Sequence, residues 1–351
     1  MTATARTVRF HELGGPEVLR VEDVPLGDPG PGELAIRVDA IGLNRAEALF
    51  RAGHYIEDVR EFPARLGYEA AGVVEAVGAG VTGFEAGQAV SVVPAFSLND
   101  YGVYAERALV PAAAVLPRAA GIDAVQGAAV WMPYVTAYGA LVEVGGMRAG
   151  DTVLLTAATS SVGLAAIQLA LRVGAVPIAT TRTPAKRAAL LEAGAAEVIV
   201  TGEEDVVARV TELTGGRGAE FVFDAVAGPG VVGLARVVAP GGTLFLYGAL
   251  SGEPTPYPGF QLGMPALNIR TYTLHETTRD AERLRRAEAF VTSGLRTGAF
   301  RPVVDRVFHG LDQIVEAHRY LEASAQVGKI VLTVDHDGPA ENPLADRGGR
   351  C

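Results

Sequence analysis

The feature that most constrains the fold is a run of short apolar segments alternating with helix-like segments between residues 153 and 247. The apolar segments are typical of strands buried on both faces, as in a parallel sheet that helices cover on both sides. Right-handed strand–helix–strand connections produce such a sheet. The run therefore predicts a doubly wound α/β domain.

A short turn, residues 156–163, joins the first strand and helix of this run. A helix that begins directly after a tight turn presents unpaired N–H groups and partial positive charge, which can hold a pyrophosphate. The dinucleotide fingerprint Gly-x-Gly-x-x-Gly is partly matched, with Ala158 and Ser160 at the first two glycine positions and Gly163 at the third. By itself, the turn leaves open a buried strand–turn–helix unit without a ligand.

The flanking parts of the chain have a different pattern. Residues 8–114 contain short segments of alternating polar and apolar residues, which predict a small, partly open β-barrel. After the α/β run, the sequence predicts a strand at 268–274 and then two helices and two further strands. Residues 335–351 are rich in Gly, Pro, Asp and Arg and predict a disordered tail.

Composition excludes several classes of function. The formal net charge is −10 without a cluster of basic residues, which argues against a nucleic-acid partner. No apolar run approaches the ~20 residues of a membrane span, and the N-terminus has no apolar signal segment, so we expect a cytoplasmic protein without membrane contact. Because Cys351 is the only cysteine, an intrachain disulfide and a cysteine-based structural zinc site are impossible.

Five segments together resemble the medium-chain dehydrogenase/reductase superfamily. They are Gly-Tyr-Glu-Ala-Ala-Gly-Val-Val-Glu-Ala-Val-Gly at 67–78, and residues 42–47, 136–138, 240–242 and 328–332. The resemblance implies a GroES-like partly open β-barrel catalytic domain plus a Rossmann domain with a doubly wound parallel sheet. It places the barrel in residues 1–127 and 278–334 and the NADP-binding domain in residues 128–277. It also implies a homodimer formed through the strand at 268–274.

Within that superfamily, the zinc alcohol dehydrogenases need a cysteine where this chain has Asn44 and a histidine where it has Tyr68. Catalytic zinc usually requires three protein ligands, so we expect no metal. The nearby His54 is more typical of a solvent-exposed loop residue. The chain therefore resembles the zinc-independent branch, which contains quinone oxidoreductases and enoyl reductases.

The residues after the second strand of the α/β run favour NADPH. NAD enzymes carry an acid there that binds the ribose 2′-OH, whereas this chain has Thr181, Arg182 and Lys186, which suit a 2′-phosphate. The solvated face of a helix start remains the alternative. The resemblance adds Thr136 beside the nicotinamide and Lys329 near the phosphates. The predicted cofactor residues are Thr136, Ala158, Ser160, Ser161, Val162, Gly163, Thr181, Arg182, Lys186, Tyr247, Gly248 and Lys329.

Hydride chemistry without a metal suits a C=C conjugated to a carbonyl, because the developing enolate needs only hydrogen-bond donors and a proton. The resemblance makes Tyr55 the candidate proton donor or oxyanion stabiliser and Asn44 a hydrogen-bond partner of the ribose or the substrate. An apolar, aromatic substrate wall is predicted from Tyr68, Phe96, Trp131 and Tyr134, although each of these side chains suits a core position equally well.

We therefore expect an NADPH-dependent, zinc-independent reductase of a quinone, enone or enoyl substrate. Two alternatives stay open: a natural-product reductase acting on a C=N bond or a polyketide, and an NADP-binding protein without turnover.

Overall fold

The computed structural model describes residues 4–259, 262 and 266–336. Up to residue 117 the chain forms strands and one short helix, α1 (Arg45–Arg51), which follows the third strand. The strands are β1 (Thr4–Phe10), β2 (Arg20–Pro25), β3 (Glu33–Leu43), β4 (Ala64–Arg65), β5 (Glu69–Val77), β6 (Ala89–Val92), β7 (Arg107–Pro111) and β8 (Val115–Pro117).

Between residues 124 and 278, helices and strands alternate. The helices are α2 (Ala124–Gly127), α3 (Trp131–Tyr138), α4 (Ser161–Val173), α5 (Arg187–Glu192), α6 (Val206–Leu213), α7 (Val231–Ala235) and α8 (His275–Thr278). The strands are β9 (Thr152–Leu155), β10 (Val176–Thr181), β11 (Glu197–Val200), β12 (Ala219–Asp224), β13 (Val238–Leu246) and β14 (Asn268–Thr271). No helix among the described residues has the length and apolar character needed to cross a membrane.

Strands β9 to β14 form one sheet in the order β11-β10-β9-β12-β13-β14, and every neighbouring pair is parallel. The direction of strand order reverses between β9 and β12. In such sheets the crevice at the carboxyl ends of the strands beside this reversal is where ligands bind. The doubly wound sheet predicted from the alternating run is confirmed.

The chain then returns to the first region through α9 (Ala281–Arg296), β15 (Val304–His309), α10 (Ile314–Glu322) and β16 (Lys329–Thr333). Strand β16 pairs antiparallel with β3, and the resulting mixed sheet has the order β15-β16-β3-β5-β6-β8, with β7 also paired to β3. A smaller sheet contains β2, β1 and β4. This mixed sheet confirms the GroES-like part of the predicted fold. Of the predicted tail, residues 337–351 lie outside the described residues.

The boundary of one predicted strand differs from the structure. The strand expected at 268–274 ends at Thr271. The chain turns there into α8, where the Thr278 hydroxyl donates to the Pro94 carbonyl at 2.6 Å and so fixes the helix against the first region.

A buried polar cluster ties the start of β16 to the neighbouring strands. The Lys329 ammonium lies 2.5 Å from a Glu69 carboxylate oxygen and also donates to the amide oxygen of Asn44. The Asn44 amide in turn donates to the Gly42 carbonyl at 3.0 Å and to the Glu47 carboxyl at 3.2 Å. Lys329 is 1% exposed and Glu69 is fully buried. Either buried charge without its partner would destabilise the fold, because burial removes its hydration. Lys329 and Glu69 therefore stabilise each other.

Glu47 is the second acid of this cluster and is also fully buried. One carboxyl oxygen accepts from the backbone N–H of Tyr68 at 3.1 Å, whereas the other has no partner among the described residues. Burial raises the pKa of Glu47 to about 7, against the attraction of Lys329. When Glu47 is protonated, the cluster contains one cation and one anion and is neutral.

The raised pKa predicts that Glu47 lowers stability as the pH rises. In the unfolded chain the carboxyl ionises near its ordinary pKa of 4.5, but in the fold it ionises near 7, so the folded state binds this proton more tightly. The free energy of unfolding therefore decreases as the pH rises from 4.5 to about 7. Glu47→Gln abolishes this decrease, because glutamine does not ionise. We expect the free energy of unfolding of Glu47→Gln, relative to the parent, to be about 1–3 kcal/mol higher at pH 8 than at pH 5.

Urea unfolding at the two pH values measures this difference. The same change at the exposed Glu85 is the control and is expected to show no such pH dependence. An effect of Glu47→Gln that is equal at pH 5 and pH 8 would contradict the raised pKa.

Candidate functional site

The turn between β9 and α4 has the geometry of a phosphate seat. A Cβ at Gly163 would lie 2.5 Å from Ala158, so only glycine allows the helix to approach the turn this closely. Ala157 adopts φ of 45°, in the left-handed region that non-glycine residues seldom occupy. The N–H groups of Ser161 and Val162 lie in the first turn of α4, where the helix offers them no partner.

Ser160 caps α4 rather than leaving its side chain free. Its hydroxyl oxygen accepts from the Gly163 N–H at 3.1 Å, and the hydroxyl hydrogen remains available to a phosphate. The start of β16 lies against this turn, since the Gly328 N–H donates to the Thr159 carbonyl at 2.9 Å. The serine at the middle glycine position is therefore compatible with an anion at the helix N-terminus.

Tyr247 and Gly248 follow β13 at the same edge of the sheet. The Tyr247 ring stacks on Phe223 with centroids 3.9 Å apart, and its buried hydroxyl, which faces Ser160, has no well-formed hydrogen bond among the described residues. A Cβ at Gly248 would lie 2.6 Å from the Ala225 carbonyl oxygen, so this glycine allows close backbone packing. An orphan hydroxyl beside the turn is a ready hydrogen-bond partner for a nucleotide.

The end of β10 carries the residues predicted to select the 2′-phosphate. Arg182 is exposed there, and Thr181 is buried, with its hydroxyl 3.4 Å from the Thr183 carbonyl. The Lys186 ammonium donates to the carbonyls of Ser324 and Gln326 at 3.1 and 3.0 Å. Burial, followed by the charge of Arg182, lowers the pKa of Lys186. Of these two cations, Lys186 is thus held by two carbonyls, whereas Arg182 is exposed to solvent.

Five aromatic side chains form a row from helix α1 across the first region, here called the aromatic row. Successive ring centroids lie 5.6 to 6.3 Å apart. The row consists of Phe50, Tyr55, Tyr68, Phe96 and Tyr101. It brings three of the predicted site residues, Tyr55, Tyr68 and Phe96, into one cluster.

The two central tyrosines carry the polar groups of the aromatic row. The Tyr55 hydroxyl lies within hydrogen-bonding reach of the Tyr68 hydroxyl, which donates to the Glu57 carboxylate at 3.1 Å. Burial raises the pKa of Tyr55 to about 12, against the influence of the neighbouring Tyr68 hydroxyl, and burial also raises the pKa of Tyr68. Both are therefore neutral hydrogen-bond donors at neutral pH.

His275 also lies against the aromatic row, and it was not among the predicted site residues. Its ring centroid is 5.6 Å from that of Tyr68, the side chain is 8% exposed, and neither ring nitrogen has a well-formed hydrogen bond among the described residues. Burial and the neighbouring Arg279 charge lower the pKa of His275 to about 4. The imidazole is therefore neutral at pH 7.

The other predicted site residues lie apart from the aromatic row. Asn44 and Lys329 bond to each other within the buried cluster, so the Lys329 ammonium is directed to Glu69 and not to the turn. The Tyr134 hydroxyl donates to Gln168 at 2.8 Å, and its ring packs on Phe300 with centroids 4.8 Å apart. These contacts give Tyr134 a packing role.

Two further predicted residues lie in helix α3. The Thr136 hydroxyl donates to the Met132 carbonyl at 2.5 Å within that helix, and Trp131 is 4% exposed. A substrate or cofactor role for Trp131 and Thr136 stays a prediction.

Sequence reasoning missed Glu47, Glu57 and His275. Glu57 lies in an irregular segment after α1, two residues beyond Tyr55. His275 directly follows the strand that was expected to end at residue 274. No local pattern marks Glu47, because its neighbours Tyr68 and Lys329 come from distant parts of the chain.

Comparison with known proteins identifies the family. The family model for a zinc-binding dehydrogenase matches residues 161–292, and that for an alcohol dehydrogenase GroES-like domain matches residues 30–120. In the part of the chain that the structure describes, no three His, Cys, Asp or Glu residues are grouped to hold a metal ion.

Two curated bacterial enzymes and one solved structure match almost the whole chain. A quinone oxidoreductase from Pseudomonas aeruginosa is 33% identical over 93% of this chain and 99% of the relative. A 2-haloacrylate reductase from Burkholderia sp is 30% identical over 92% of this chain and 97% of the relative. The Escherichia coli quinone oxidoreductase complexed with NADPH has a TM-score of 0.85 at 29% identity and covers 93% of this chain and 99% of that one.

These likenesses and the phosphate seat at the N-terminus of α4 agree. The chain belongs to the medium-chain dehydrogenase/reductase superfamily, in its zinc-independent quinone oxidoreductase branch, and it is an oxidoreductase that uses a nicotinamide dinucleotide.

Proposed function

We propose that the protein is an NADPH-dependent reductase of a C=C bond conjugated to a carbonyl, as in an enone, an enoyl compound or a quinone. The observation that carries the proposal is the pair of neutral tyrosine hydroxyls, Tyr55 and Tyr68, set in the aromatic row. Hydroxyl donors at this place suit an enolate, whose negative charge needs a hydrogen bond and whose carbon needs a proton.

The residues described above fit the cofactor. The free N–H groups at the start of α4 and the Ser160 hydroxyl would hold the pyrophosphate, and Arg182 would bind the 2′-phosphate. When bound, the nicotinamide supplies the hydride. The protein's own task is to bind the acceptor against the aromatic row and to provide the proton.

Two features support an activated C=C as the acceptor. The aromatic row is apolar apart from its hydroxyls, so it suits a flat conjugated ligand. The Burkholderia relative is named as a 2-haloacrylate reductase, and an acrylate is a C=C bond conjugated to a carboxyl group. A C=N acceptor has no comparable support.

We also propose a homodimer through the edge of β14. This strand ends the order of the parallel sheet, and Thr271 is exposed on it. The Tyr272 N–H donates to the Leu246 carbonyl of β13 at 2.8 Å, so the Thr271 N–H, one residue earlier, is directed to the open side. A second copy pairing there would cover the open edge.

The cofactor assignment predicts that NADPH binds more tightly than NADH. Arg182→Ala is expected to weaken NADPH about tenfold, because a charge-assisted hydrogen bond is lost, and to leave NADH binding unchanged. Fluorescence titration measures both dissociation constants. Arg187→Ala removes an equal charge that is paired with Glu204 at 3.6 Å, and it serves as the control. Equal loss of NADH and NADPH affinity in Arg182→Ala would refute this role.

The proposed chemistry predicts NADPH oxidation in the presence of enones or quinones, and transfer of deuterium from C4-deuterated NADPH to the β-carbon of an enone. Tyr55→Phe is expected to lower kcat about 100-fold with little change in NADPH affinity, because it removes the proton donor. The control is Tyr320→Phe, which lies outside the aromatic row and whose hydroxyl donates to Asp305 at 2.7 Å. A parent enzyme that oxidises no NADPH with any acceptor of this kind would rule out the proposed function.

The dimer proposal predicts that Thr271→Pro is a monomer, because proline removes the outward N–H. Light scattering after gel filtration measures the mass. Thr271→Val keeps the N–H and is expected to remain dimeric. An unchanged dimer in Thr271→Pro would count against this interface.

A further inference from the structure

A hydrogen-bonded chain leads from the centre of the aromatic row to the protein surface. The ring of Tyr55 lies against that of Tyr68 with centroids 6.1 Å apart, and the Tyr68 hydroxyl donates to one oxygen of Glu57 at 3.1 Å. The other Glu57 oxygen accepts from the Ser97 hydroxyl at 2.6 Å, and the first also accepts from the Leu98 N–H at 3.0 Å. Every polar atom of the Glu57 carboxylate is therefore engaged.

The three side chains of this hydrogen-bonded series differ in their exposure to solvent. Tyr68, in the middle, is fully buried, whereas Tyr55 and Glu57 at the two ends are each partly exposed. Water thus reaches the Glu57 end, and the Tyr55 end borders the site proposed for the substrate.

Reduction of a conjugated C=C leaves an enolate that must gain a proton. If Tyr55 supplied it without being resupplied, a phenolate would remain in a site that disfavours charge, since burial raises the pKa of Tyr55 to about 12. A second donor must therefore act with Tyr55, and the hydroxyl within its reach belongs to Tyr68.

We propose that Glu57, Tyr68 and Tyr55 form a proton relay that carries a proton from solvent to the reduced substrate. The inference rests on the proposed function and extends it to the source of the proton. Once hydride has been added to the β-carbon, Tyr55 gives its proton to the α-carbon, Tyr68 gives its proton to Tyr55, and protonated Glu57 gives its proton to Tyr68. The charge lost by the enolate then lies on Glu57, which takes a new proton from hydronium or a buffer acid in the solvent.

The hydrogen bonds in the structure correspond to the relay after delivery. Tyr68 donates to an ionised Glu57, so protonation of Glu57 and rotation of the two hydroxyls would reload the chain. Burial opposes the charge on Glu57, but hydrogen bonds from Ser97 and Leu98 outweigh it and lower the pKa of the carboxyl. The negative charge therefore ends at the position best able to carry it, and neither tyrosine remains as a phenolate.

Other titratable and charged groups face the relay. Glu47 acts on Tyr55, Arg279 acts on both Tyr55 and Glu57, and His275 packs on Tyr68. The pKa of Glu47 is raised by burial to about 7, so a pH profile of activity would mix its titration with that of the relay. Solvent isotope effects at one pH avoid this overlap.

The test compares the parent enzyme with Tyr68→Phe and Glu57→Gln, using NADPH and an enone. Both variants are expected to lower kcat at least about tenfold, with KM and NADPH affinity nearly unchanged, because binding is retained while proton supply is slowed. In mixtures of H₂O and D₂O, the parent rate is expected to vary along a curve, as when several protons move together. The Tyr68→Phe rate is expected to vary linearly, because only the Tyr55 proton is left to move.

Chemical rescue separates a relay from a structural role. Imidazole buffer, whose imidazolium form is a small proton donor near neutral pH, is expected to restore part of the kcat of Glu57→Gln, whereas a merely distorted site would not respond. Glu61→Gln, an exposed acid in the same segment, is the matched control and should retain the parent rate. Melting temperatures identify a variant that fails to fold. Glu57→Gln changes a partly exposed side chain and keeps the test valid if Tyr68→Phe does not fold.

The outcomes distinguish the two proposals. A parent enzyme that reduces no conjugated acceptor removes the proposed function and the relay together. A parent enzyme that reduces an enone, with Tyr68→Phe and Glu57→Gln both within about twofold of its kcat and with unchanged isotope behaviour, removes the relay alone and leaves the reductase.

Discussion

The buried ion pair between Lys329 and Glu69 joins the last strand of the described chain to the middle of the first region. The two residues are 260 positions apart, and both are almost inaccessible to water. Removing either partner from a buried pair typically costs about 3–5 kcal/mol, because the other charge is left without compensation. Space around the pair is also limited, since a Cβ at Gly42 would lie 2.8 Å from Lys329. Charge and packing therefore both fix where β16 begins.

The same strand end also positions the nucleotide turn. Gly328, the residue before Lys329, donates its N–H to the Thr159 carbonyl at 2.9 Å, so the start of β16 touches the turn before α4 while its first side chain pairs with Glu69 in the first region. Gly328 adopts φ of 115°, and a Cβ there would lie 2.4 Å from the Val303 carbonyl oxygen. One strand end thus sets the relation between the cofactor seat and the first region.

The site combines an apolar surface with few polar groups, all of them neutral except at its edge. Tyr55 and Tyr68 are held in the neutral form by burial, and His275 is kept neutral by burial and by Arg279. In the proposed function, neutral donors set among apolar side chains would strengthen hydrogen bonds to a developing enolate. The charge of Glu57 lies at the partly exposed end, where solvent and the Ser97 hydroxyl stabilise it.

Much of the fold followed from local patterns in the sequence. Alternating apolar segments predicted the parallel sheet, and the turn ending in Gly163 predicted the helix start that suits a pyrophosphate. The residue types Asn44 and Tyr68, at the metal positions of the zinc enzymes, were enough to indicate the zinc-independent branch. Such features are local because they depend on hydrophobic periodicity, backbone freedom at glycine and residue type.

The partners of the buried polar groups were decided only by the tertiary structure. Lys329 pairs with Glu69, and Glu57 bonds to Tyr68 and Ser97, through contacts that no local spacing encodes. The raised pKa of Glu47 likewise depends on burial by residues from separate segments. The sequence by itself determined the order of the elements, the nucleotide turn and the residue types at the site. Tertiary packing decided which of them meet, because hydrogen bonds and ion pairs depend on distances set by the complete fold.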